Sequence, residues 1–232
     1  MTIFDSELIW FCLLAGFVAA DTEAAWQTLL SQPLAGCTMA GYIFGDVGLG
    51  LTIGVLLQLP YLIESPVGGC QVTFSSLGAL VGAGLTLRLS EYFPEKQNVI
   101  LLAGLLSGIL LSWLLGIWWR RSQVVNSYLV QLAEGAIDNH RFSRLTLLQG
   151  AGVLKSFLFG AGTVLVLMVG CEIVLRFALR LIPVAMDAPL ALVRPAMIGA
   201  GLATLVRILV KKRTLPFALA GVGLATLVWT IT

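Results

Sequence analysis

The sequence has few charged residues and almost no histidine. Charged side chains make up 11% of the 232 residues, whereas a soluble globular domain has about 25%. Hydrophobic residues make up 58%, and the mean hydropathy is +0.96. The net charge of +2 comes from scattered basic residues without a concentrated basic face, so we expect no nucleic-acid partner. The composition predicts an all-α integral membrane protein, a multi-span helical bundle.

The residues that usually carry catalysis or bind metal are also scarce. The four cysteines (Cys12, Cys37, Cys70 and Cys171) form no CxxC pair and lie in apolar or glycine-rich surroundings, as buried free thiols do. The only histidine, His140, lies in a short polar loop. No GxSxG, Walker lysine or HExxH motif is present. We therefore expect no catalytic residue, no metal, no cofactor and no enzyme activity by the chain alone.

Long apolar runs divide the chain into a single polytopic membrane domain over residues 1–232. Residues 8–20 are predicted to form a short or tilted membrane helix with a polar break after it, and acidic residues before this run favour a retained N-terminus. Residues 99–119 carry no charge and end in Trp118-Trp119, followed by Arg120-Arg121, which indicates a full span with its cytoplasmic end at the arginines.

The C-terminal half is predicted to contain a surface helix and then further spans. Residues 124–138 have apolar side chains at helical spacing, which is typical of an amphipathic helix on the membrane surface or on a partner. C-terminal spans follow in residues 145–232, interrupted by Pro183, Pro189 and Pro195 and by Lys211-Lys212-Arg213. Within the first of them, Lys155 is placed to snorkel, and Glu172 has Arg176 one turn later as an ion-pair partner.

Residues 32–89 form the region around which we expect a substrate site. About 30 mostly apolar residues are broken at Gly45-Asp46, which predicts two discontinuous, re-entrant half-helices with glycines at the four-residue spacing of close helix contacts. A polar segment after Pro60 follows. Polar residues at membrane depth persist where they are buried in protein or line a wet cavity. The candidate substrate-binding residues are Asp46, Gln58, Glu64, Ser65, Gln71 and Thr73. The alternative is that these groups satisfy each other and the broken backbone.

The stretch QPLAGCTMAGYIFGDVGLGLTIGVLLQL resembles the N-terminal signature of the membrane IIC subunit of the mannose/sorbose-type sugar phosphotransferase system (PTS). The matching positions are Pro33-Leu34, Thr38, Gly41, Gly45-Asp46, Gly50 and Gly54, and Gln58 stands where the family usually has glutamate. The order of segments downstream is also similar.

The resemblance implies a sugar-translocating subunit of the bacterial inner membrane. It implies a IID membrane partner and cytoplasmic IIA and IIB proteins that carry the phosphoryl group, which agrees with the lack of a carrier residue here. We also expect a homo-oligomer within the lipid bilayer. Two alternatives remain: a non-transporting assembly or regulatory subunit, and an ion-coupled small-solute transporter that uses Asp46 and Glu172.

Overall fold

The computed structural model describes residues 5–25, 27–61 and 73–209, and these form helices and turns without a strand. The predicted all-α class is confirmed. The seven α-helices of the described residues are α1 (Ser6–Glu23), α2 (Pro33–Ile43), α3 (Val47–Tyr61), α4 (Ser75–Tyr92), α5 (Gln97–Asp138), α6 (Phe142–Leu181) and α7 (Val193–Leu209). The expected last helix, within residues 216–232, lies outside the described residues.

Helix α1 starts and ends at polar groups. Asp5 is its N-cap and accepts a hydrogen bond from the Leu8 N–H at 3.0 Å, as short polar side chains do at helix starts. In the last turn of α1, the Asp21 carboxylate accepts from Thr28 and from the Ser31 N–H, so the polar residues expected to break the chain after residue 20 belong to the helix and bind the residues that follow it. The buried face of α1 packs closely on α6, where a Cβ at Gly160 would lie 2.5 Å from the Ala15 carbonyl oxygen.

Helices α2 and α3 form the hairpin predicted at the Gly45-Asp46 break. Gly45 has φ +81°, a conformation that glycine adopts without steric cost, and Asp46 then caps α3 by accepting from the Leu49 N–H at 2.8 Å. The two helices are in backbone contact, because a Cβ at Gly50 would lie 2.5 Å from the Cys37 carbonyl oxygen. The glycine spacing noted in the sequence therefore serves contact between α2 and α3.

Helix α4 runs through the centre of the bundle and is buried from Leu77 to Leu89. Its glycines allow close approach to α5, since a Cβ at Gly82 would lie 2.6 Å from the Gly104 carbonyl oxygen. Small residues at such contacts are the usual means of helix association in lipid.

The predicted span 99–119 and the predicted surface helix 124–138 are one continuous helix, α5. The reason is that no glycine or proline lies between Gly116 and Gly135, so nothing in the backbone stops the helix at the arginine pair. The 42 residues of α5 extend about 63 Å, roughly twice the thickness of the hydrocarbon core. Helix α6 returns beside it after a turn at Asn139-His140.

Within residues 5–25, 27–61 and 73–209, two helical segments, residues 94–138 and 142–181, are long and apolar enough to cross a membrane. We call the level of Arg120-Arg121 the basic end of the bundle. At the opposite end, Lys96 donates to the carbonyls of Leu179 and Ile182 at the end of α6, at 2.7 and 2.6 Å. Asp187 in turn accepts from the Asn98 and Val99 N–H groups at the start of α5. The positive charge of Lys96 lies at the negative end of the α6 dipole, and the negative charge of Asp187 lies at the positive end of the α5 dipole. Both contacts hold the end of α6 against the start of α5.

Candidate functional site

The polar segment comprises residues 62–72. The described residues on its two sides both contact Ser112 of α5. The Tyr61 hydroxyl lies 2.7 Å from Ser112 Oγ, and the Phe74 N–H donates to the Ser112 carbonyl at 2.8 Å. Ser112 Oγ itself donates to the Ile109 carbonyl, so Tyr61 is the donor in the hydroxyl pair. We call Tyr61, Phe74 and Ser112 the Ser112 junction.

The depth of the junction follows from α5. Ser112 is 1% exposed and stands eight residues before Arg120, which is about 12 Å along the helix. Because Tyr61 and Phe74 both bind Ser112, the two ends of residues 62–72 lie close to the depth of Ser112 in the bundle. Glu64, Ser65 and Gln71 belong to that stretch and lie outside the described residues. Thr73 is described and directly precedes the junction.

Gln58 lies one turn before Tyr61 on α3 and faces the start of α2. Its amide nitrogen donates to Gln32 Oε1 at 2.9 Å, and its oxygen accepts from the Leu34 N–H at 3.3 Å. The side chain thus satisfies one of the free N–H groups at the start of α2, where Pro33 has no N–H. Gln58 is half-buried, so its amide is also accessible from outside the hairpin.

Asp46 does not join these residues. It is exposed and caps the other end of α3, twelve residues from Gln58, about 18 Å along the helix. The structure therefore brings Gln58 and Thr73 to the same end of the hairpin and leaves Asp46 at the other. Sequence reasoning missed Gln32, Tyr61 and Ser112. The available signals were a glutamine directly before a helix-starting proline and a serine within an apolar span.

A second polar group of residues lies near the opposite end of the bundle. The predicted pair of Glu172 and Arg176 is confirmed. Glu172 also binds Arg88 at 3.1 Å, and Arg88 binds Asp5 at 3.0 Å. Arg176 lies 3.7 Å from the centre of the Tyr92 ring, a cation–π contact. We call Asp5, Arg88, Glu172 and Arg176 the four-charge cluster, whose formal charges cancel.

The two groups differ in what they offer a ligand. In the four-charge cluster the carboxylates are paired with the cluster's own arginines, and the side chains of Arg88 and Glu172 are only 3% and 1% exposed. The residues around the Ser112 junction are neutral amides and hydroxyls, which donate and accept hydrogen bonds as a hydroxyl-rich ligand requires. Among the described residues no group of three His, Cys, Asp or Glu side chains could hold a metal ion.

Two solved structures share this fold. One is described as "CryoEM Structure of Mannose Transporter ManYZ and Microcin E492 (MceA) complex", with TM-score 0.63 and 18% identity over 97% of this chain and 88% of that chain. The other is described as "Structure of membrane protein", with TM-score 0.70 and 17% identity over 98% of this chain and 96% of that chain. No curated protein sequence matches the chain.

The sequence matches a protein family over residues 6–231, the family EII-Sor, described as the sorbose-specific IIC component of the PTS system. The match includes the α2–α3 hairpin, the polar segment and the helices that surround them. The protein therefore belongs to the sorbose-type IIC family of the sugar phosphotransferase system, and it is a sugar-translocating membrane subunit.

Proposed function

We propose that the sugar passes between the end of the α2–α3 hairpin where Gln58 lies and the polar segment, residues 62–72. The flanking residues Tyr61 and Phe74 hold this segment at Ser112. Gln58 and Thr73, together with Glu64, Ser65 and Gln71 of that segment, line this path. Asp46 keeps its role as the cap of α3. The observation that carries the proposal is that Tyr61 and Phe74 both bind Ser112, at one level inside the bundle. Polar residues between two such points meet either protein or a wet cavity.

The polar groups of the described part of this path are uncharged. A sugar is neutral and needs several hydrogen bonds, and amides and hydroxyls can exchange bonds with it without exposing a charge in a low-dielectric site. Gln58 is placed to exchange its bond to Gln32 for one to a sugar hydroxyl. Glu64 adds the carboxylate that Gln58 lacks relative to the family pattern.

We further propose that the chain works in the inner membrane with a IID subunit and with IIA and IIB proteins. The IIB protein phosphorylates the sugar as it is delivered. Support comes from the family membership and from the absence of a histidine near the path among the described residues, since His140 lies at the exposed turn between α5 and α6. The ion-coupled alternative is disfavoured because Glu172 is paired with two arginines.

The test is uptake of labelled hexoses and amino sugars in cells that express the chain with its neighbouring PTS components. We expect phosphorylated sugar inside the cells, and its loss when this chain is deleted. No uptake of any sugar from an intact, co-purifying complex would contradict the transport role.

Within that assay, Glu64→Gln should abolish uptake and leave assembly with the partner intact. Glu91→Gln is the matched control, because Glu91 is an exposed carboxylate near the end of α4. Equal uptake by Glu64→Gln and the unmodified chain would remove Glu64 from the path.

A further inference from the structure

The side-chain amides of Gln32 and Gln58 form a pair at the start of α2, where α2 and α3 are in backbone contact. A Cβ at Gly54, one turn before Gln58, would lie 3.0 Å from both the Pro33 carbonyl oxygen and the Leu34 Cα. The two amides meet directly, with Gln58 Nε2 at 2.9 Å from Gln32 Oε1. The position of one side chain relative to the other is therefore set by a close contact between helices.

One backbone N–H determines the direction in which both amides point. The Leu34 N–H is a donor and faces Gln58 Oε1, so the nitrogen of Gln58 points the other way. That nitrogen donates to Gln32, which therefore presents its oxygen. Turning either amide around would place two N–H donors against each other. The bond thus runs from Gln58 as the donor to Gln32 as the acceptor.

The two side chains differ in how firmly they are held. Gln58 is half-buried, and its oxygen is bound to the Leu34 N–H. Gln32 is exposed, and its side chain makes no capping bond to α2. A rotation of Gln32 alone therefore opens the pair, and it breaks one neutral hydrogen bond, which contributes little net stability.

An open pair has one donor and one acceptor that need partners, the Gln58 N–H and the Gln32 carbonyl oxygen. A hydroxyl between them accepts from Gln58 and donates to Gln32, so two bonds replace the one that is lost. A fluorine or an ether oxygen has no proton to donate, and an ammonium has no lone pair with which to accept. Such groups leave one amide without a partner, which weakens binding.

We infer that Gln32 is a further specificity-determining residue of the sugar path, and that one sugar hydroxyl inserts between Gln58 and Gln32. The inference rests on the proposed function and extends it, because it assigns a direct sugar contact to Gln32. It also names the chemistry required at one ring position. The substrate has a free hydroxyl there, and a sugar with an amino, methoxy or fluoro group in its place is a poor substrate.

The first experiment uses the unmodified complex and asks whether a sugar hydroxyl must donate. Deoxy and deoxyfluoro analogues, one pair for each ring position, compete with uptake of the labelled hexose that the complex transports best. We expect a position at which both analogues inhibit about tenfold more weakly than the parent hexose. A deoxyfluoro analogue that matches the parent hexose at every position would overturn the inference.

The second experiment assigns the requirement to Gln32. Gln32→Met keeps the length of the side chain and removes the acceptor, so at one ring position the deoxyfluoro analogue should inhibit as well as the parent hexose. Gln32→Glu keeps an oxygen that accepts from Gln58 and from a hydroxyl, so it should keep the tenfold difference. Gln131→Met, at an exposed glutamine of α5, is the control and should also keep it.

The outcome for Gln32→Met separates the inference from the sugar path itself. If this variant discriminates against the deoxyfluoro analogues at the same positions as the unmodified complex, Gln32 does not contact the sugar and the inference is overturned. Hexose uptake that persists in that case leaves the sugar path standing. Failure of the unmodified complex to take up any hexose would contradict both the path and the inference.

Discussion

The four-charge cluster and the Ser112 junction both join helices of the bundle through polar side chains, yet they use different chemistry. In the cluster, each formal charge meets an opposite one: Arg88 joins Asp5 before α1 to Glu172 on α6, and Arg176 completes the set. At the junction a tyrosine and a serine hydroxyl share one hydrogen bond at 2.7 Å. Breaking a buried ion pair costs several kcal/mol, whereas exchanging a neutral hydrogen bond costs about 1 kcal/mol.

This difference separates a fixed part of the molecule from one that can exchange partners. The cluster joins α1, α4 and α6 with bonds that hold in a low dielectric, and the close contact at Gly160 adds to the same interface. In the proposed sugar path, the residues around Ser112 and Gln58 release one neutral partner and accept a sugar hydroxyl. Substitutions in the two regions should therefore affect stability and transport to different degrees.

The largest expected effect on stability comes from Arg88→Met. The change removes the guanidinium that binds both Asp5 and Glu172, and it leaves two carboxylates with incomplete pairing. We expect a loss of about 3–5 kcal/mol in the free energy of unfolding. The measurement is thermal or denaturant unfolding of the purified complex in detergent.

The control for this change is Arg121→Met, at an exposed arginine of the basic end. It should alter the unfolding free energy by less than about 0.5 kcal/mol. If the two variants were equally stable, the cluster would not be the fixed part of the bundle, and the comparison with the junction would fail.

An intermediate effect is expected from Ser112→Ala. The Tyr61 hydroxyl, on a half-buried side chain, loses its hydrogen bond to Ser112 Oγ, which costs about 1 kcal/mol of stability. Sugar uptake should fall more than the loss of folded complex explains, because Tyr61 also sets where the polar segment begins. Ser122→Ala, whose hydroxyl binds the Trp119 carbonyl of its own helix, is the comparison variant for both assays. Proportional losses of uptake and complex would assign the junction a purely structural role.

The smallest effect on stability is expected from Gln58→Leu. Gln58 is half-buried, and its bonds to Gln32 and the Leu34 N–H can be replaced by water, so the unfolding free energy should change by less than about 1 kcal/mol. Uptake should nevertheless fall by about tenfold, an amount equivalent to about 1.4 kcal/mol. Thr52→Val on the same helix, which loses a bond to the Gly48 carbonyl of its own helix, should leave uptake unchanged.

Gln58→Glu would sharpen the comparison further. A carboxylate at this position can still accept from the Leu34 N–H, and it lies at the positive end of the α2 dipole. We expect the complex to assemble normally and uptake to persist. Uptake that fails with glutamate as it does with leucine would show that the donor to Gln32, and not the acceptor, is what transport requires.

Several elements could be predicted from the chain without coordinates because their causes are local. The break at Gly45-Asp46 follows from a glycine that adopts positive φ and an aspartate that caps the next helix. The pair of Glu172 and Arg176 follows from one turn of helical spacing. The boundary between the span and the surface helix was misplaced because aromatic residues and arginines mark the membrane surface, whereas only the backbone decides where a helix ends.

What the sequence by itself determined is the membrane class, the hairpin, the all-helical content and the family resemblance, since each depends on composition or on residues close in the chain. Only the tertiary structure decided that Arg88 reaches Asp5 and Glu172, both more than 80 residues away. It also decided that Tyr61 and Phe74 meet on Ser112, and that Gln58 meets Gln32 at the start of α2. Such contacts depend on how helices pack, and small-residue surfaces allow several packings that a linear pattern cannot distinguish.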